Sequence, residues 1–155
     1  MAGFDTMNAE SFEQLLRNQI PIAWIAGVRF ESYAGETFKT SVRHDFLNQN
    51  PFGSMFWAVE GMAAEFAGGM MLTDKINATG KSIATLVVKN ETVFTKKARG
   101  KIVFSCNEGA KIDQEIQKAI DTNTPSVFDL KSTGTDEEGD VVAEFVFTWS
   151  IKVRD

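Results

Sequence analysis

The fold of this chain is decided by one stretch, Asn50-Pro51-Phe52-Gly53-Ser54-Met55-Phe56-Trp57-Ala58-Val59-Glu60-Gly61-Met62-Ala63-Ala64-Glu65-Phe66-Ala67-Gly68-Gly69-Met70. Its first residues, with proline and glycine close together, are typical of a turn. The rest is apolar around nearly the whole helical circumference, interrupted by two glutamates and several small residues. A helix of this kind has to be surrounded by protein on most sides. The sequence therefore predicts a central helix at about residues 54–71, wrapped by the rest of the chain.

Composition and charge narrow the class of protein. The chain has 155 residues and a net charge of −5, which argues against a nucleic-acid-binding role. No apolar run approaches the ~20 residues that a bilayer-spanning helix needs, so no membrane insertion is expected. The first residues lack the basic flank and apolar core of a signal peptide, and the one cysteine, Cys106, has no partner for an internal disulfide. We therefore expect a single domain over residues 1–155 in the cytoplasm.

The segments around the central helix predict mostly strands. A short helix is expected at residues 9–17 and an amphipathic helix at 110–120, with a polar connection at 73–80. Apolar patterns, which at 82–95 consist of a run rich in Ile, Val, Thr and Leu, predict six strands, at 22–33, 37–46, 82–95, 101–107, 126–133 and 141–153. Clustered antiparallel strands with helices on one face indicate the α+β class. A long helix that is apolar all round needs a curved antiparallel sheet to enclose it, which is the geometry of the hotdog fold.

The central stretch also carries a family resemblance. The pattern Asn50-x-x-Gly53-Ser54-x-Phe56, followed by Ala64-Glu65-Phe66-Ala67-Gly68, resembles the acyl-CoA thioesterase branch of the hotdog superfamily. Members typically have an asparagine, a nearby glycine, a His-Gly-Gly element and an acidic residue nine positions after that histidine. Here Phe56 falls on the histidine position and Glu65 on the acidic one. With weaker likeness at 93–103 and 136–151, the resemblance covers about residues 24–153 and is nearest to an uncharacterised thioesterase-like subfamily with a degenerate His-Gly-Gly element.

Glu65 is the first candidate catalytic residue. It lies beside the strongly apolar stripe of the central helix, and its ridge neighbours are small, including Gly61. Small neighbours leave space for a ligand or for the close approach of another helix, and burial would raise the pKa of the carboxyl group toward neutrality. The resemblance implies that Glu65 acts as a general base on water or attacks the thioester carbonyl. A solvated or dimer-paired glutamate is the alternative.

The turn before the helix supplies the other expected site groups. Asn50 either orients water or substrate, as a second catalytic residue, or fixes the loop by side-chain hydrogen bonds. Backbone N–H groups at Phe56, Trp57 and Ala58 lack intrahelical partners and can polarise a thioester carbonyl. Gly53 and Gly61 are expected to make room for substrate. Trp57 either fills the acyl space or covers a pocket for a flat or short acyl group.

Basic residues near one hairpin are candidates for the CoA phosphates. Lys96, Lys97 and Arg99 can bind phosphate as charges, or can simply be solvated. One histidine and one cysteine make a metal site improbable. We interpret His44 as a satisfied core residue and Cys106 as a small buried hydrophobic side chain. Glu60 lies about 140° from Glu65 on the helical wheel, so the two cannot act on one atom within a single subunit.

These expectations combine into one functional reading and two rivals. The resemblance implies hydrolysis of an acyl-CoA thioester by a homodimer or a dimer of dimers, with no cofactor other than the CoA moiety of the substrate. The first rival is a non-catalytic hotdog protein that binds acyl-CoA or fatty acid. The second is a hotdog dehydratase, which needs a catalytic histidine at the approach to the helix, where His44 is poorly placed.

Overall fold

The computed structural model describes residues 7–155, which form one antiparallel sheet and four helices. The helices are α1 (Ala9–Gln19), α2 (Pro21–Ala26), α3 (Trp57–Ala78) and α4 (Gly109–Thr122). The strands are β1 (Arg29–Ala34), β2 (Thr37–Arg43), β3 (Ile83–Phe94), β4 (Lys101–Cys106), β5 (Ser126–Thr135) and β6 (Val141–Val153), in the order β1-β2-β4-β5-β6-β3. The α+β class and the curved antiparallel sheet around a long helix are confirmed.

Helix α3 lies against the middle of the sheet and contacts β2, β4, β5 and β6. Glycines on this face allow the close approach. A Cβ atom at Gly68 would lie 3.2 Å from the Leu130 side chain, and one at Gly69 would lie 3.0 Å from the Trp149 ring. The small residues of the central stretch are therefore explained by helix–sheet packing. No helix within residues 7–155 combines the length and apolar character that crossing a membrane requires.

The central helix occupies different bounds from those expected. It begins at Trp57 rather than near residue 54, because Ser54 and Met55 are held in the preceding loop. It continues to Ala78, through residues expected to form a polar connection. The polar side chains there have partners across the fold: Asp74 accepts a hydrogen bond from Tyr33 at 3.0 Å, and Lys75 pairs with Asp113 at 2.8 Å. Such partners are not visible in a local pattern.

The first half of the segment expected to form a strand, residues 22–33, is helical in the structure. Pro21 follows the end of α1 and opens α2 at the first helical position, where its missing N–H is not needed. Gly27, with φ of 102°, closes α2 before β1 begins at Arg29. The alternation at Trp24 and Ala26 predicts a strand, whereas in the structure Ala23 and Ala26 face the core from a single short helix. The helix expected at residues 9–17 is confirmed as α1, which runs two residues further than expected, to Gln19.

The second strand also ends earlier than expected, at Arg43. Asp45 caps a single 3₁₀ turn, Phe46–Asn48, in which Phe46 is 83 % exposed. His44 is half-buried, and its Nε2 atom is buried without a hydrogen-bond partner among residues 7–155. The interpretation of His44 as a satisfied core residue was therefore wrong, because the strand alternation stops one residue before it. Cys106 is fully buried, as expected.

A close contact across the sheet gives a stability prediction. Gly134 on β5 pairs with Phe104 on β4, and a Cβ atom at residue 134 would lie 2.5 Å from the Phe104 ring. Phe104 is fully buried, so its ring has no free space to move into. We expect Gly134→Ala to lower the free energy of unfolding by about 1–3 kcal/mol, measured by urea denaturation. Ser132→Ala on the same face adds no volume and is the control; equal unfolding midpoints for the two variants would contradict the prediction.

Candidate functional site

A cavity of about 650 Å³ opens at the start of α3. It lies between the loop before α3, the first turn of α3 and the segment that follows β3. Its wall is largely apolar by exposed area and includes four aromatic residues, together with six polar or charged ones. The lining residues are Asn50, Pro51, Phe52, Ser54, Met55, Phe56, Trp57, Glu60, Phe94, Thr95, Lys96, Lys97 and Ala98. Phe94 and Thr95 were not anticipated from the sequence, because their place at the cavity depends on the pairing of β3 with β6.

Asn50 holds the loop that forms one wall of this cavity. Its Nδ2 donates to Ser54 Oγ at 3.0 Å and to the Met55 carbonyl at 3.1 Å. Its Oδ1 accepts from the backbone N–H groups of Phe52 at 2.9 Å and Ser54 at 3.2 Å. The loop is tied to the segment after β3 by a hydrogen bond from Met55 N–H to the Ala98 carbonyl, at 2.9 Å. These bonds support the loop-fixing role of Asn50, whose side chain still borders the cavity.

The first turn of α3 presents two open backbone donors. Phe56 precedes the helix in an extended conformation and provides no side-chain cap. The N–H groups of Val59 and Glu60 donate to the Phe56 carbonyl, whereas those of Trp57 and Ala58 have no acceptor within residues 7–155. The Phe56 N–H is not free, because it donates to the Asn48 carbonyl at 2.8 Å. Of the three amides expected to be open, the structure therefore leaves those of Trp57 and Ala58.

Glu60 is the carboxyl group that lines the cavity. Its side chain is only 4 % exposed, and Oε1 is buried with no hydrogen-bond partner among the described residues. Burial raises the pKa of Glu60 to about 7. The sequence ranked Glu60 below Glu65, since a helical wheel shows which residues share a face but not which face a loop will cover.

Glu65 does not line this cavity. It is half-buried, and burial raises its pKa to about 7 as well. Its Oε1 lies 3.3 Å from the point that a Cβ atom on Gly69 would occupy, close to the Trp149 ring. The absence of a side chain at Gly69 therefore leaves room for the Glu65 carboxyl group and the Trp149 ring. Within one subunit, the structure does not bring Glu65 together with Asn50 or the open amides.

The basic residues bind groups of their own chain. The Lys96 ammonium lies 2.6 Å from Asp136, 2.7 Å from Glu138 and 2.8 Å from Asp140, and these carboxylates raise the pKa of Lys96. Lys97 donates to the Phe52 carbonyl at 3.1 Å, so it holds the cavity loop. The Lys96 charge is thus neutralised by the acidic turn after β5, a contact over more than 40 residues of chain.

Arg99 and Gly53 meet on the outside of the same loop. Arg99 Nε donates to the Gly53 carbonyl at 2.9 Å, and Gly53 has a φ of 76°, which favours glycine. Neither residue lines the cavity, and neither do Ala58 and Gly61. Gly61 faces the sheet, where a Cβ atom would lie 3.4 Å from the Phe145 ring. Gly53 and Gly61 are therefore explained by backbone conformation and packing.

One group of carboxylates has the spacing of a metal site. Oxygen atoms of Asp136, Glu138 and Asp140 all lie within 4.8 Å of one another. The space between them is taken by the Lys96 ammonium, which supplies the positive charge that a cation would bring. This cluster therefore serves as a structural ion-pair network at the turn.

Comparisons with known proteins agree with the fold. Residues 8–151 match the family model described as "Domain of unknown function (DUF4442)". No curated protein matches the sequence. A protein of unknown function from Pseudomonas aeruginosa, described as a probable thioesterase, is 21 % identical, with a TM-score of 0.81 over 98 % of this chain and 100 % of that chain. These values place the likeness at the level of fold.

Two further solved structures have the same architecture. A protein of unknown function from Chlorobaculum tepidum is 18 % identical, with a TM-score of 0.79 over 94 % of each chain. A thioesterase from Haemophilus influenzae is 14 % identical, with a TM-score of 0.73 over 99 % of this chain and 96 % of that chain. The chain therefore belongs to the DUF4442 family, and its fold is the hotdog fold.

Proposed function

We propose that this protein hydrolyses the thioester of a small acyl group, with acyl-CoA as the substrate. The observation that carries the proposal is the apolar cavity into which the uncapped start of α3 opens. The carbonyl oxygen of a thioester becomes negatively charged in the tetrahedral intermediate. Two open N–H groups and the positive end of the helix dipole stabilise such a charge where it forms. The proposed donors are the N–H group of Trp57, a residue that lines the cavity, and that of Ala58, the next residue of the helix.

Glu65 is the proposed base. A carboxylate with a pKa near 7 accepts a proton from water efficiently at neutral pH. In the reaction, water attacks the carbonyl carbon while Glu65 takes the water proton. The C–S bond then breaks, and the proton passes to the departing thiolate. Direct attack by Glu65, with a covalent acyl intermediate, is the other route open to the same side chain.

This chemistry needs a second copy of the chain, because Glu65 lies outside the cavity of its own subunit. The edge strand β3 supports such an assembly: it has 12 residues and pairs with β6 on one side only. Long unpaired edges are prone to pair with another strand. Exposed apolar side chains line this edge, namely Leu86, Val88, Val93 and Phe94. A homodimer, or a dimer of dimers, would place Glu65 of one subunit at the cavity of the other.

The substrate groups are assigned by the chemistry of the walls. The acyl group occupies the aromatic cavity, and Asn50 fixes the loop that borders it. Lys97 and Arg99 remain available to the CoA phosphates as charges, since each uses one N–H group on a backbone carbonyl. Lys96 contributes little, because three carboxylates surround it.

A pair of variants at residue 57 tests the oxyanion role. Proline is accepted at the first position of a helix, and the extended backbone of Phe56 suits a residue before proline. Trp57→Pro removes both the indole and the backbone N–H group, whereas Trp57→Ala removes the indole but keeps the backbone N–H group. We expect Trp57→Pro to lower kcat by about 10²-fold or more relative to Trp57→Ala, measured by thiol release from short, long and aromatic acyl-CoAs. Equal kcat values would contradict the role of this amide.

The second candidate function is acyl-CoA binding without turnover. It is favoured by Phe56 and Trp57, which stand where the thioesterase pattern that the chain resembles has histidine and glycine. Both aromatic residues line the cavity. Tight acyl-CoA binding with no thiol release over hours, across the same substrates, would establish this function instead of hydrolysis.

A further inference from the structure

The Glu60 carboxyl group has no task in the proposed reaction, yet it lines the cavity. It is 4 % exposed, and its Oε1 has no partner among residues 7–155. A buried polar group without a partner costs free energy, so most such groups in proteins are hydrogen-bonded. A ligand in this cavity is the natural source of the missing partner.

The position of Glu60 indicates which part of a ligand it meets. Glu60 is one helical turn after Trp57 on α3. Side chains on a helix lean toward its N-terminus, so the carboxyl group extends back toward the open amides. A thioester whose carbonyl oxygen binds those amides would therefore place its first few acyl carbons beside Glu60.

The chemistry of the carboxyl group selects the partner. Because the pKa of Glu60 is about 7, its protonated and ionised forms are both present near neutral pH. A hydroxyl group donates to the ionised form and accepts from the protonated form, whereas a ketone can only accept and an ammonium group can only donate. The Lys97 ammonium group, which has no carboxylate partner among residues 7–155, borders the same cavity and disfavours a cationic ligand. A hydroxyl group is thus the partner that fits both forms.

We propose that the cavity selects short acyl groups with a hydroxyl group close to the thioester carbonyl, and that Glu60 is the residue that binds this hydroxyl. The inference rests on the proposed function, of which it specifies the substrate class. Glu60 determines specificity here and transfers no proton in the hydrolysis.

The kinetic test compares butyryl-CoA with its 2-hydroxy, 3-hydroxy and 4-hydroxy derivatives. We expect kcat/KM for the best hydroxy derivative to exceed that for butyryl-CoA by about tenfold to a hundredfold. Glu60→Gln keeps a donor and an acceptor and should preserve most of this ratio, whereas Glu60→Leu should bring it close to one. Glu10→Gln, an exposed position on α1, is the control and should keep the wild-type ratio. Equal kcat/KM values in the wild-type protein overturn the inference even if Glu60→Leu does not fold.

A binding measurement separates this inference from the proposed function. The probes are S-butyl-CoA and S-(3-hydroxybutyl)-CoA, thioethers that cannot be hydrolysed, titrated by calorimetry. Tighter binding of the hydroxylated probe without turnover of any thioester supports the inference and overturns hydrolysis. Turnover of all four thioesters at equal kcat/KM overturns the inference and leaves hydrolysis standing. Absence of both binding and turnover overturns both.

Discussion

Glu65→Gln is expected to lower kcat for thioester hydrolysis by about 10³-fold, with a smaller change in KM. Glutamine has nearly the shape of glutamate but cannot accept a proton at neutral pH. Glu65 makes no hydrogen bond or ion pair within residues 7–155 whose loss would disturb the fold, and burial alone raises its pKa. The measurement is steady-state thiol release, with Glu10→Gln as the control for loss of a solvated carboxylate. A kcat within about threefold of the wild-type value would exclude Glu65 as base or nucleophile.

Mixing two inactive variants tests whether the site spans two subunits. Trp57→Pro damages the cavity and Glu65→Gln removes the base. In a mixed dimer with shared sites, one site carries both defects and the other carries neither. Random reassociation makes half of the dimers mixed, so about one quarter of the wild-type activity should return. If Glu65 acted within its own subunit, each chain would carry a defect in its own site and no activity would return.

Much of the fold follows from the periodicity of apolar residues. The long strands β3 and β6 and the helix α4 lie close to their expected places, since β6 and α4 have a regular apolar repeat and β3 is rich in Ile, Val, Thr and Leu. The helix α2 was read as a strand, because six residues are too few to distinguish the two periods. The end of α3 was missed for a different reason, as Asp74 and Lys75 are held in the helix by partners on other elements.

The site was predictable only where its chemistry is local. The open amides and the loop-fixing bonds of Asn50 follow from rules for helix starts and turns. The environment of each carboxyl group and of Lys96 depends on segments far apart in sequence. The cavity beside Glu60 forms only when the segment after β3 packs against the start of α3. Lys96 is paired with carboxylates only when the turn after β5 packs against it. Residue patterns identified the helix that matters but not the side chain that faces the cavity.

The burial of Glu60 also makes the free energy of unfolding depend on pH. Because its pKa rises from 4.5 to about 7 on folding, the folded protein binds more protons than the unfolded chain between those values. The contribution of Glu60 is therefore most favourable below about pH 4.5 and is lost as the pH rises through about 7. At ~1.4 kcal/mol for each pKa unit, this contribution to the free energy of unfolding is lower by about 3 kcal/mol above about pH 7 than it is below pH 4.5.

Glu60→Gln removes this dependence, since its amide stays neutral at every pH. Relative to wild type, we expect the variant to gain about 3 kcal/mol in free energy of unfolding between pH 4.5 and pH 8.5. Urea denaturation at both pH values gives the difference, with Glu10→Gln, a change at an exposed position on α1, as the control. A constant difference between wild type and Glu60→Gln would mean that Glu60 has an ordinary pKa in the folded protein. The hydroxyl-binding role would then lose its argument from two protonation states, because the carboxyl group would be ionised throughout the neutral range and would act only as an acceptor.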